Sequence, residues 1–294
     1  MIKYCHFLGS SSKGNSFLIQ TSETNILIDA GLTGKKIIEQ LQLLNVAIES
    51  IDAIFFTHEH MDHSQGIKRL SRFPNIKLFA TRKTANAIER KYDKQFQWEC
   101  LIAGSQLQFR DLFILPFSIP HDAADPVGFF IQGIHGGKSL CWMTDLGHVP
   151  QNIVEFAKNA DILVLESNYD EILLKNDDRP IYIKERIKST NGHLSNSVAH
   201  KIISTHKDNA KWEKIFLAHL SRDCNDISEI IKYLTTYPFP KKTSMLQDIL
   251  AHKKTEVDYI SGDIIKLSQK WNYPCPVNLT MYYLIKSKEK GYLM

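Results

Sequence analysis

The sequence predicts a layered fold of mixed α and β elements, built as one large domain with two similar halves. Short apolar runs bounded by turn residues alternate with stretches whose apolar residues recur at helical spacing, and this alternation occurs twice along the chain. Several of the apolar runs end in a polar or charged residue. In layered α/β proteins that is where chemistry-bearing side chains collect.

In order, strands are expected over Ile2 to Leu8, Ser16 to Gln20, Asn25 to Asp29, Ala53 to Phe56 and Ile76 to Ala80. Helical patches fall between them. Lys35 to Leu44 puts Ile37, Ile38, Leu41 and Leu44 on one face, and Gln65 to Ser71 and Lys83 to Lys91 follow the same spacing. A second set of strands runs over Gln106 to Phe109, Phe113 to Ser118, Gly128 to Gln132, Ser139 to Thr144 and Ile162 to Leu165, with His135-Gly136-Gly137 as a hairpin turn. Helices return at Gln151 to Lys158, Asn196 to His206 and Asp226 to Leu234. The pattern weakens after Pro238-Phe239-Pro240. We therefore expect a domain over 1–240 and a C-terminal segment, 241–294, packed on it.

A chain of 294 residues with 43% hydrophobic content can bury a large core. Its opening apolar stretch, Met1 to Leu8, is too short for a signal peptide, and no run approaches bilayer length, so a cytoplasmic protein without membrane contact is expected. The five cysteines are scattered without a CxxC pair, which argues against a disulfide framework or a zinc ribbon. A formal charge of +4 is mild and would favour polyanions more once divalent ions were bound.

Thr57-His58-Glu59-His60-Met61-Asp62-His63 places three imidazoles and two carboxylates directly after the apolar run Ile51 to Phe56. Three imidazoles so close would repel one another if protonated, and together with carboxylate they suit divalent zinc, manganese or iron. The strand-end pattern adds four residues. His121 follows Phe117 to Pro120, Asp145 follows Leu140 to Thr144, His219 follows Ile215 to Ala218, and Asp29 ends Ile26 to Ile28.

Strand-Asp-Ala-Gly, His-x-His-x-Asp-His, a lone His, a lone Asp and a final His resemble the five motifs of the metallo-β-lactamase superfamily. The resemblance implies an α+β fold, a four-layer αββα sandwich. It also implies that His58, His60 and His121 hold one divalent ion, that Asp62, His63 and His219 hold a second, and that Asp145 bridges both. Asp62 also counts among the catalytic residues. The counterpart of Asp29 is a buried support, and Asp122 is expected to orient His121. Gly9 to Ser16, His121 to Gly128, Thr144 to Gly147, Leu165 to Asn168, Gly192 to Asn196 and Leu217 to Arg222 are more closely similar to the YycJ/WalJ group, over about Tyr4 to Leu234. That group implies a DNA exonuclease of 5′ to 3′ polarity.

A site with two divalent ions can hydrolyse esters, amides or phosphodiesters. Two features favour phosphorus. Backbone N–H groups of the Gly9 to Ser16 loop could cradle an anion, with Ser11, Ser12, Lys13 and Asn15 as substrate contacts, although a plain Gly-Ser turn between strands explains that loop equally well. In Gly192-His193-Leu194-Ser195-Asn196, Ser195 or Asn196 can cap the following helix and aim its N-terminus at a phosphate. By resemblance to phosphodiesterase branches of the superfamily, His193 becomes the general acid.

Spacing removes some relatives. Asp145 to His219 is 219 − 145 = 74 positions, too few for the large insertion of ribonuclease J-type nucleases, and His121 to Asp145 is 145 − 121 = 24, too few for the projecting arm of ribonuclease Z. A hydrolase of small esters, thioesters or cyclic phosphodiesters stays open, as does a metal-stabilised nucleic-acid-binding protein without turnover. His6, His135, His200, His206 and His252 read as strand, turn and helix-face residues, whereas His148 lies three residues past Asp145.

Overall fold

Strands buried on both faces must present apolar residues in both directions, and that requirement sets the layering of this chain. The computed structural model describes residues 1–226 and Lys286. In the first half, β1 (Tyr4–Gly9), β2 (Ser16–Gln20), β3 (Asn25–Ile28), β4 (Ala53–Phe55), β5 (Lys77–Thr81) and β6 (Trp98–Leu101) form a six-stranded sheet in that order. β1 to β3 are antiparallel and β3 to β6 parallel, with α1 (Gly34–Leu43), α2 (Met61–Ser64), α3 (Ile67–Leu70) and α4 (Arg82–Tyr92) in the crossovers.

The second half repeats the plan. β7 (Leu107–Phe109), β8 (Leu112–Ser118), β9 (Val127–Gly133) and β10 (Ser139–Met143) make an antiparallel meander, and β11 (Ile162–Glu166) and β12 (Lys214–Ala218) add in parallel. α5 (Gln151–Asn159) joins β10 to β11, while α6 (Glu171–Asn176), α7 (Ile181–Lys188) and α8 (Asn196–His206) lie between β11 and β12.

The two sheets pack face to face. Phe17, Ile19, Ile26, Ile28, Ala53 and Phe55 of the first meet Ile114, Phe129, Ile131, Leu140, Trp142 and Val164 of the second. The intervening residues Leu18, Leu27, Ile54 and Leu78 point the other way, onto Ile37 and Leu41 of α1, Ile67 and Leu70 of α3, and Ile88 of α4. Outside the second sheet α5 buries Ile153, Val154 and Ala157, and its Phe156 stacks on Phe117 at 5.2 Å. Each such large side chain contributes about 1.5–3 kcal/mol on full burial. The result is the expected αββα sandwich, with Trp142 in its core. Threonine caps start two of the helices, Thr33 accepting from Lys36 N and Thr81 from Thr84 N.

Most expected elements stand within a few residues of their predicted bounds, and β6, α2, α6 and α7 come only from the structure. α2 lies within the ligand loop, β6 buries only Leu101, α6 only Leu174, and α7 fully buries no residue, so the last three carry no strong apolar period. The helix expected over Asp226 to Leu234 and the 241–294 segment lie outside the described residues. The chain divides into units at Tyr237 and Pro238, and the elements above belong to the first.

The carboxyl ends of both sheets open on one edge. There the chain leaves β3, β10 and β12 through non-glycine residues of left-handed backbone, Asp29 (φ 60°), Asp145 (φ 60°) and His219 (φ 57°). The loop after β4 is pinned by main-chain bonds: Asn15 N donates to Asp62 O (2.7 Å) and Ala30 N to His63 O (2.8 Å). Gly31 makes this closeness tolerable, because a Cβ there would land on the Asp62 carbonyl. Gly31→Ala is expected to cost about 1–3 kcal/mol by overpacking and to lower bound metal together with the unfolding temperature. Thermal unfolding and elemental analysis check this; an unchanged pair of values would contradict it.

Candidate metal centre

Asp29 organises the first turn of the site. Wholly buried, it accepts hydrogen bonds from Thr57 N, Thr57 Oγ1 and His63 Nδ1, each at 2.8 Å. Because Nδ1 of His63 is engaged, its Nε2 faces the cluster. Thr57 Oγ1 donates to Asp29 and so accepts from His58 Nδ1 (3.0 Å), which turns His58 Nε2 inward too. That nitrogen is buried without a hydrogen-bond partner among the described residues.

His121, beyond the end of β8, donates from Nδ1 to the Gly192 carbonyl (3.2 Å) and brings Nε2 to 3.3 Å from His60 Nδ1. His58, His60 and His121 thus converge. Beside them, His63 Nε2 lies 3.4 Å from Asp62 Oδ2 and 3.3 Å from Asp145 Oδ2. His219 Nε2 lies 3.3 Å from Asp62 Oδ2 and 3.2 Å from Asp145 Oδ1. Asp145 also reaches toward the first group, 3.9 Å from His121 Nε2. His58-His60-His121 and Asp62-His63-His219 each bring ligand atoms within 4.8 Å of one another, as does His58-His63-Asp145 between them.

The donor set and the inward-facing, unpartnered His58 Nε2 fit divalent metal, for which neutral imidazole and carboxylate are ordinary ligands. Electrostatics divides the cluster. Burial and neighbouring imidazoles hold His58 well below its ordinary value, and burial also lowers His60 and His121. His63 behaves oppositely: against its burial, Asp145, Asp29 and Asp62 raise it well above the usual range. His219 is likewise pushed up to about 10, against its burial, by Asp145, Asp62 and Glu166.

Glu166, at the end of β11, is the site residue the sequence reading missed. It is fully buried and accepts from His219 Nδ1 (2.9 Å) and His193 Nδ1 (2.8 Å) through Oε1, and from Leu146 N (3.1 Å) and Leu194 N (3.0 Å) through Oε2. Despite burial, His193 and His219 hold its carboxyl well below the usual range. The strand-end pattern that singled out Asp145 and His219 applies equally to Ile162 to Leu165 followed by Glu166. His193, so anchored, stacks on His219 with ring centroids 5.2 Å apart. It lines a cleft of about 370 Å³ together with Ser12, His60, Asp62, Asp145 and Arg186.

The expected substrate contacts fare differently. Ser12 lines the cleft and Lys13 is exposed. The Gly-Ser loop offers no open anion cradle, however, because its N–H groups are consumed internally: Ser11 N by Asn15 Oδ1, Lys13 N by Ser11 Oγ, Gly14 N by Ser11 O. Ser11 and Asn15 are buried, and Asn15 Nδ2 donates to Asp62 Oδ2 (3.2 Å), so it braces the cluster. Ser195 caps α8 at Val198 N, as expected, and buried Asn196 accepts from Ser167 Oγ (2.6 Å); neither side chain lines the cleft. The Gly192 carbonyl, rather than Asp122, takes His121 Nδ1, while Asp122 Oδ1 lies 3.6 Å from His121 Nε2. Its carboxylate pairs with Arg186 Nε, which keeps its pKa low despite partial burial. His148 donates from an exposed position to Thr190 O (3.0 Å) and takes no part in the cluster. Arg179 and Arg186 in the cleft wall were not anticipated.

Comparison with known proteins agrees with this geometry. The family model for the beta-lactamase superfamily domain matches residues 24–216, and one for the ketopantoate reductase PanE/ApbA C terminal matches residues 197–289. The chain is 38% identical over 229 residues to exodeoxyribonuclease WalJ of Streptococcus pneumoniae, covering 76% of this chain and 83% of that protein. It is 33% identical over 235 residues to exodeoxyribonuclease YycJ of Bacillus anthracis, covering 77% and 86%. Its fold is similar to that of the metallo-beta-lactamase fold protein YhfI from Bacillus subtilis, with a TM-score of 0.61 at 18% identity over 79% of this chain and 92% of that one. From its five strand-end motifs, its αββα layers and these matches, the chain belongs to the metallo-β-lactamase superfamily and, within it, to the family of WalJ and YycJ.

Proposed function

We propose that this protein is a dinuclear metal-dependent phosphodiesterase that degrades DNA from an end. In this reading His58, His60 and His121 hold one divalent ion, Asp62, His63 and His219 hold another, and Asp145 touches both, with zinc or manganese, and also iron, suited to the donor set. The observation that carries the reading is His193, held by Glu166 at the lip of the clustered ligands and facing the cleft. The exodeoxyribonuclease names of WalJ and YycJ support it, because the chain spans more than four fifths of both. The 5′ to 3′ polarity and a cytoplasmic site of action belong to the same proposal. Among the described residues no helix is long and apolar enough to cross a membrane.

His58, His60, His121, Asp62, His63, His219 and Asp145 would hold the two ions, which when bound would supply a water of lowered pKa and positive charge against the phosphate. The chain supplies the rest. Asp62 lines the cleft and orients the attacking oxygen. His193 acts on the other side of the phosphorus: Glu166 fixes Nδ1, so Nε2 is the nitrogen free to deliver a proton to the departing sugar oxygen. Asp29 and Asn15 keep the ligand loop from drifting, as proximity catalysis requires.

Purified wild type and His60→Ala, Asp62→Ala and His193→Ala variants, given zinc or manganese, are to be incubated with end-labelled duplex DNA, single-stranded DNA and RNA, and with bis-p-nitrophenyl phosphate and a thioester. His60→Ala and Asp62→Ala should lose metal and turnover together. His193→Ala should keep its metal yet slow about 10²- to 10⁴-fold. Equal rates in wild type and ligand variants would sink the proposal, and thioester turnover without nucleic-acid cleavage would favour the small-substrate hydrolase.

Metal uptake should also release protons. His63 and His219 have folded pKa values raised above the ordinary 6.5, so in metal-free protein near neutrality both carry protons that a bound ion must displace. That competition strengthens steadily as pH falls below the raised folded values and fades as pH rises through about 10, where His219 deprotonates unaided. Calorimetric zinc titrations in buffers of different ionisation enthalpy should show net proton release near pH 7 and an apparent affinity that rises with pH. A pH-independent affinity would contradict the assignment.

A further inference from the structure

We propose that α7 is the wall against which the nucleic-acid end lies, with Arg186 grasping a phosphate and Tyr182 stacking on a base; this rests on the nuclease reading above. α7 buries no residue, and Ile181 and Tyr182 are 73% and 66% exposed. Among the described residues its only contact with a core cluster is the half-buried Ile187 against Tyr169, Leu174 and Cys224, so its position rests largely on its ends. Its carboxyl end is fastened to the site. His193 N donates to Ile187 O (2.8 Å), Gly192 N to Ser189 O (2.9 Å), and Asp122 N to Asn191 O (3.0 Å). A Cβ on Gly192 would strike the Arg186 and Ile187 carbonyls, and one on Gly147 would strike Ser189 and Thr190. The segment after α7 is therefore sealed against both the Asp145 turn and the His193 loop.

Arg186 stands where this helix meets the chemistry. It lines the main cleft beside Asp145 and His193, and also a smaller hollow beside His60 and His121. Its Nε donates to Asp122, whose carboxyl is kept charged, while its two terminal nitrogens have no partner among the described residues. The guanidinium fork can therefore stay on Asp122 and still offer a planar pair of donors to a phosphate. Tyr182 lies four residues earlier, on the same helix face and about one turn (~5.4 Å) along. Lys184, Arg186 and Lys188 against the single acid Glu185 give the helix a positive balance, which suits a polyanion. An exposed ring one turn from a phosphate-binding arginine is the pairing by which single strands are held, base on ring and backbone on cation.

The test uses full-length protein carrying His193→Ala, so that the substrate persists, loaded with manganese and titrated with fluorescent oligothymidylate across a salt series. Tyr182→Ala should weaken binding roughly tenfold and leave the salt slope as it was, with Tyr182→Phe restoring affinity. Arg186→Gln should weaken binding and flatten the slope by about 0.7, the signature of one lost single-strand phosphate contact, with partial return in Arg186→Lys. In otherwise wild-type protein, Tyr182→Ala should lower the ratio of kcat/KM on oligonucleotide to that on bis-p-nitrophenyl phosphate by a similar factor. Unaltered affinity and slope in both variants, while wild type digests DNA, would overturn the α7 proposal alone. Hydrolysis of the small phosphodiester by a wild type that neither binds nor cuts nucleic acid would overturn the nuclease reading and this one with it. A dimer in sedimentation that Tyr182→Ala dissolves would make the face a self-interface and overturn the strand assignment.

Discussion

Glu166 accepts four hydrogen bonds with no exposure to water, and the two sides of the site meet on it. One oxygen fixes a ring of the metal cluster, His219, and the ring of the cleft lip, His193; the other gathers the backbone of the turns that carry Asp145 and His193. A carboxylate so buried is stable only when its lone pairs are satisfied and a compensating positive charge lies near. Here His219 provides that charge in the metal-free chain. The arrangement ties the position of His219 in the cluster and that of His193 at the cleft into one mechanical unit.

The same reasoning explains why the cluster is lopsided. His58, His60 and His121 meet mainly one another and remain neutral, whereas His63 and His219 are ringed by Asp29, Asp62, Asp145 and Glu166 and hold protons. The first half offers neutral ligands. The other is an internal salt network, and in the two-ion reading an ion would take the place of its protons and keep the buried carboxylates compensated. Asp145, shared between the halves, links the two states.

Much of this was legible in the sequence because the informative residues are either contiguous or repeat one rule. His58 to His63 announces itself, and Asp29, His121, Asp145 and His219 each follow an apolar run. Glu166 obeys that rule too, but its importance lies in which rings face it, and no local pattern reports that. Asn15, Ser195 and Asn196 were read as substrate contacts because a Gly-Ser loop and a capped helix N-terminus can present N–H groups to an anion; the cap forms at Ser195, but Asn15 and Asn196 are buried in bonds between loops. Arg179 and Arg186 were invisible for a different reason. They flank or sit on α7, whose lack of a buried face erases the periodicity that would have marked a helix. Residues 197–289 are similar to the ketopantoate reductase C-terminal family while residues 24–216 are similar to the beta-lactamase superfamily domain, and the overlap falls on α8 and β12.

The left-handed backbone at Asp29, Asp145 and His219 has a price in robustness. Each such residue stores roughly 1–3 kcal/mol that glycine would release. Glycine at Asp29 or His219 would release that strain but leave Thr57, His63 or Glu166 buried and short of a partner, a loss of the same size or larger. Heat resistance and turnover therefore favour the same residues at these strand exits, and a lineage under either pressure keeps them.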